Sequence, residues 1–75
     1  MGVERLVKYI VVIERSDKNY AAYVPDLPGC VATAPTRDEV EREIRAAIAF
    51  HLDGLKADGL PVPVPGTWTA EVEAS

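Results

Sequence analysis

The sequence predicts an α+β domain in the order β-β-β-α-β, an antiparallel-rich sheet with one long helix on one face. Three observations lead there. Runs of β-branched and aromatic residues are separated by turn residues; apolar positions then recur at helical spacing over one long stretch; and Gly and Pro end that stretch before a last β-rich run.

The first run, Leu6 to Ile13 (LVKYIVVI), is apolar on both alternating faces, as expected of a central strand or of one that meets a second copy. Glu14 to Asn19 (ERSDKN) supplies Ser, Asp and Asn, which close turns through their side chains, and Tyr20 to Val24 (YAAYV) returns as the second arm of a hairpin. Pro25-Asp26-Leu27-Pro28-Gly29 then forms a rigid corner. Its prolines fix two φ angles and remove two donors, and Gly29 permits positive φ. Cys30 to Ala34 (CVATA) is a short third strand.

Thr36-Arg37-Asp38-Glu39 reads as a capping box, in which the Thr hydroxyl accepts from the Glu39 amide. Val40, Ile44, Ala47, Ile48, Leu52 and Leu55 make the apolar stripe of the helix that follows. Gly59 is the expected stop (Gly54 an earlier one), and Pro61 forbids continuation. Pro61, Pro63 and Pro65 stiffen a connector to the last expected strand, Thr67 to Val72 (TWTAEV).

Composition narrows the function. The 75 residues make one domain, 1–75, and a domain of this size buries only about 60% of its unfolded surface. Disulfides, metals and self-association are the usual supplements. Cys30 and His51 are the only residues of their types, so self-association, as a homodimer or higher homo-oligomer, is the one expected. The net charge of −4 and scattered cations speak against nucleic-acid binding and suit a basic protein partner. The run Leu6–Ile13 is too short and too interrupted by Lys8 to span a membrane, and one free cysteine fits a reducing cytoplasmic setting.

No set of residues suggests catalysis, a cofactor or a metal site. His51 has no second His and no acid on its own helix face, and reads as a half-packed boundary histidine. Cys30 reads as a structural thiol rather than a nucleophile activated by His51. The acids opening the helix are accounted for by capping and the helix dipole. Binding is better served. Phe50 falls about 120° from the apolar stripe at about 100° per residue and is a candidate surface anchor. The corner residues Asp26, Leu27, Pro28 and Gly29 form a preorganised loop with Leu27 as its apolar tip; Tyr23 stands beside it, and Phe50 is expected to extend that patch.

The hairpin Tyr20–Val24 running into Pro25-Asp26-Leu27-Pro28-Gly29-Cys30, the capped helix from Thr36, His51-Leu52 and the Gly59-Leu60-Pro61-Val62-Pro63 exit together resemble the HicB antitoxin family. The resemblance runs from about Val7 to Val72. It implies a partial RNase H-like fold without enzymatic activity, a tendency to form dimers or higher oligomers, and a partner: HicA, a small basic ribonuclease toxin that such proteins bind and silence. Many members add a helix-turn-helix or ribbon-helix-helix domain that binds promoter DNA. The sequence has none after its last expected strand and is not expected to bind that DNA alone. Ala34-Pro35 replaces the pair, often Gly-Asp, that precedes the capping Thr in the family. The acids of a two-metal nuclease are also missing from the strands, with only Glu14 and Asp26 nearby. A stand-alone self-assembling or small-ligand-binding domain is the alternative function.

Overall fold

A computed structural model describes residues 7–74. Three short strands, β1 (Val12–Arg15), β2 (Tyr20–Tyr23) and β3 (Val31–Ala34), precede one helix, α1 (Arg37–Ala57). The strands pair antiparallel in sequence order, and the class is α+β as the sequence predicts.

The β1–β2 hairpin turns more tightly than expected. The Ser16 N–H donates to the Asn19 carbonyl at 2.9 Å and the Ser16 hydroxyl to the same oxygen at 3.1 Å, so the turn needs only Ser16–Asn19. Glu14 and Arg15, expected in the turn, therefore pair with Ala21 and Tyr20. At its other end β2 stops at Tyr23, because Pro25 cannot donate to a ladder. That leaves Val7 to Val11 outside the ladder although they belong to the expected first strand, whose Leu6 lies outside the described residues.

Strand alternation separates the faces of the sheet. Val11, Ile13, Tyr20, Ala22, Val24, Ala32 and Ala34 turn inward, where Val40 and Ile44 of α1 meet them in one core with Leu27 and Cys30. Val12, Tyr23 and Val31 are register partners that point outward. The helix covers only the inner face.

Both ends of α1 follow the sequence signals. The Glu39 N–H donates to Thr36 Oγ1 at 3.2 Å, and the Val40 N–H to the Thr36 carbonyl at 3.0 Å. At the other end Gly59 takes φ +69°, the Gly59 N–H reaches the Lys56 carbonyl at 3.1 Å, and the Leu60 N–H reaches Leu55 at 2.9 Å. This pair of bonds is a Schellman stop, made possible by the left-handed glycine.

The last expected strand is not formed. Residues 60–74 run without a bend and join no ladder among the described residues. Pro61, Pro63 and Pro65 lack N–H groups, which prevents continuous pairing through the first half of the segment. The segment lengthens the molecule to 49 × 29 × 22 Å with a radius of gyration of 14.5 Å. A fully compact chain of this length has a radius near about 11 Å.

Candidate partner-binding surface

The corner expected to be a recognition tip is built largely into the protein. Its backbone closes on itself: the Leu27 N–H donates to Val24 at 3.0 Å, the Cys30 N–H to Leu27 at 3.0 Å, and the Val24 N–H to Cys30 at 3.2 Å. Gly29 completes the loop with φ +84°; nothing crowds its Cα, so a side chain there costs backbone strain rather than a clash. The closed loop turns Leu27 inward to 0% exposure, among the most buried side chains described. Leu27 is therefore not an exposed apolar tip. With the loop's polar groups bonded to one another, its apolar side chain gains more from the core than from water.

Asp26 is also engaged. Its half-buried carboxylate accepts the Gly66 N–H at 3.2 Å and the Thr67 hydroxyl at 3.0 Å. The Tyr9 hydroxyl donates to the Pro63 carbonyl at 2.6 Å, and these bonds clasp residues 63–67 to the body. Burial, and secondly the Asp26 carboxylate, hold the Tyr9 phenol above its ordinary pKa, so it stays a donor through neutral pH. Pro25, Pro28 and Gly29 are what the corner leaves exposed.

Tyr23 and Phe50 do not form one patch. Tyr23 projects from the sheet face opposite the helix, between buried Ala22 and Val24, whereas Phe50 stands 83% exposed on α1. Around Phe50, helical spacing places Ala46 and Ala57 on the same stripe, with Glu39, Glu43 and Asp53 beside them. Each of these residues is exposed; the exposed cations Arg42 and Lys56 flank the stripe on the Asp53 side. Sequence reasoning singled out Phe50 but missed this acidic border, which plotting the charged residues on the same wheel reveals.

The other chemistry-bearing residues are quiet. Cys30 is buried, and burial pushes its thiol up from the ordinary value, away from the reactive thiolate. His51 is half-buried on α1. No group of three or more His, Cys, Asp or Glu converges as a metal site among the described residues, and no described helix is long and apolar enough to cross a membrane. An open groove of about 450 Å³ runs between the β1 side of the sheet and α1. Ile13, Ile44 and Ile48 line it, with Arg37, Arg45 and Glu41 also present. Arg45 and Glu41 pair at 3.7 Å, the arginine exposed and the glutamate about half so, which adds little stability.

Known proteins supply the context for this geometry. A UPF0150 protein of Helicobacter pylori is 43% identical over 65% of this chain and 68% of its own length. A UPF0150 protein of Archaeoglobus fulgidus is 38% identical over 67% of this chain and 74% of its own. An uncharacterised 14.9 kDa protein of the rep-hol intergenic region of Haemophilus phage HP1 is 34% identical over 73% of this chain, a match spanning 41% of the phage protein. Residues 9–74 match the family described as the HicB-like antitoxin of bacterial toxin–antitoxin systems. With nearly all of the described fold inside that match, the chain belongs to the HicB-like antitoxin family.

Proposed function

We propose that this chain neutralises a HicA-type ribonuclease toxin in the cytoplasm by direct protein contact, as a binding module and not as an enzyme. The observation that carries this reading is the solvent side of α1, where Phe50 stands exposed with the exposed carboxylates of Glu39, Glu43 and Asp53 at helical spacing around it and the cations Arg42 and Lys56 to one side. A desolvated aromatic supplies binding energy, and a surrounding field of one sign favours a partner of the opposite sign. An RNA-cleaving toxin needs cationic surface for its substrate, and that surface is complementary to this stripe. The exposed residues of the corner, Pro28 and Gly29, are secondary contacts in this proposal. Asp26 and Leu27 support the corner from within.

The chain is also proposed to act as a homo-oligomer, since so small a core leaves an entire sheet face uncovered. The direct functional test is RNA cleavage by a HicA-type toxin in the presence of increasing amounts of this chain. Inhibition that saturates at a fixed stoichiometry supports the proposal. Undiminished cleavage at a large excess contradicts it.

The alternative, a stand-alone ligand-binding domain, rests on the groove containing Arg37 and Arg45. It calls for a small anionic compound that raises the melting temperature, an effect that Arg37→Ala with Arg45→Ala abolishes.

A further inference from the structure

Four of the eight large hydrophobes exposed among the described residues lie in one stretch, the segment 60–74 that follows α1. Leu60 is 51% exposed, Val64 86%, Trp68 90% and Val72 86%, a concentration of apolar surface that marks a place of contact. Every residue from Trp68 to Ala74 is exposed, so this part of the segment stands off the body. Its root is held. The Tyr9 hydroxyl bonds the Pro63 carbonyl, and the Asp26 carboxylate takes the Gly66 N–H and the Thr67 hydroxyl. Pro61, Pro63 and Pro65 stiffen the approach. An arm fixed at its base and stiffened by proline loses little conformational freedom when a partner takes hold of it.

Backbone and charge indicate what takes hold. Beyond the clasp the chain runs without a bend, and no backbone N–H or C=O from Thr67 to Glu73 bonds another backbone group among the described residues. Thr67, Trp68, Thr69 and Val72 are strand-forming residues. A stretch of this kind satisfies its backbone by joining the edge of another sheet. From Leu60 to Glu73 the only charged residues are Glu71 and Glu73, so the segment carries two of the chain's uncompensated negative charges. Nucleic acid and a second copy of this acidic chain are both repelled there. A basic protein is attracted: its cations meet the two carboxylates, and Trp68 supplies an aromatic anchor.

We propose that residues 67–73 are a second contact with the basic toxin, adding as a strand to the edge of that partner's sheet with Trp68 as the anchor. This deepens the neutralising reading above and rests on it. Phe50 on α1 and Trp68 on the arm hold one partner at two places.

Binding of a HicA-type toxin is followed by titration calorimetry at several salt concentrations for the full chain, for Trp68→Ala, and for Glu71→Gln combined with Glu73→Gln. All three positions are exposed, and circular dichroism establishes that each variant is folded. Amide exchange of residues 67–73 is read by NMR on the isotope-labelled chain, free and in the complex. Trp68→Ala should bind about tenfold or more weakly. The double glutamine variant should lose part of the salt dependence of binding. In the complex, alternate amides between Thr67 and Glu73 should exchange about tenfold or more slowly than in the free chain, as an added edge strand requires. No binding by the parent overturns this inference together with the neutralising reading. Suppose instead that the parent binds, but Trp68→Ala binds as tightly, the glutamine variant keeps the full salt dependence, or no amide in 67–73 slows. Any one of these overturns the inference and leaves the neutralising reading standing. Amides already slow in the free chain show the segment paired with its own chain or with a second copy, which overturns the inference as well.

Discussion

The corner Val24–Cys30 and the segment 60–74 are both proline-rich and both irregular, yet they treat their apolar residues in opposite ways. In the corner, three backbone hydrogen bonds close the loop and Leu27 is fully buried. In the segment, the described backbone bonds end at Leu60, docking falls to Tyr9 and Asp26, and Trp68, Val64 and Val72 stay in water. Proline fixes the direction of a chain in both cases. Whether a hydrophobe is buried depends on whether the backbone beside it satisfies its own polar groups close to the core. One proline-rich stretch has become a part of the core, and the other presents a surface.

Substitutions on each side sharpen the contrast. Leu27→Ala should have the largest effect, lowering stability by about 2–5 kcal/mol, as expected when a fully buried leucine leaves a cavity. In a domain this small, at the lower end of the usual ~5–15 kcal/mol, urea denaturation will show much of the transition lost. A change near zero would place Leu27 outside the core.

Asp26→Asn comes next. It keeps the shape but weakens a carboxylate that accepts from Gly66 and Thr67, a loss of about 1 kcal/mol for partly exposed bonds. Hydrogen exchange at the Gly66 amide and proteolysis within 60–74 should both accelerate, with α1 protection unchanged. Equal acceleration throughout the chain would mean that Asp26 supports the whole fold rather than the clasp.

Cys30 gives a smaller, pH-dependent effect. Its folded pKa is raised by burial, so the folded state retains its proton where the unfolded chain has lost it. The contribution is fully present below the ordinary thiol pKa and is lost as pH rises through the raised value. Stability measured across that alkaline window should fall more steeply for the parent than for Cys30→Ala. Parallel curves would show that the buried thiol is not responsible.

Phe50→Ala should have the least effect on stability, within about 0.5 kcal/mol, because the ring is exposed. A larger loss in thermal unfolding would mean that the ring packs onto its own domain.

Much of this was legible in the sequence where local chemistry decides local structure. The Thr36 cap, the Gly59 stop, a turn closing at Asn19 (expected from Glu14, formed from Ser16) and the second and third strands, each one residue shorter than expected, follow from a few neighbouring residues. The first strand was misplaced because an apolar run marks burial, whereas a ladder needs a partner. Pro25 ends that partner after Tyr23, so Val12–Arg15 pair and Val7–Val11 do not. TWTAEV has strand-forming residues, but no ladder forms there, a fact of long-range contact that propensity does not carry. The same holds for the site. Phe50 was visible as a departure from the helical stripe, but the inward turn of Leu27 depends on the closure of the corner, and its separation from Tyr23 depends on which sheet face the helix covers.

The central claim, that the chain acts by holding a basic toxin against the acidic side of α1, is tested most directly by titration calorimetry with a HicA-type toxin, comparing the parent with Phe50→Ala. Truncating a true anchor costs about 2 kcal/mol or more, so the variant should bind about thirtyfold more weakly while remaining as stable as the parent. Equal affinity of parent and variant, or no heat of binding from either, would contradict the account.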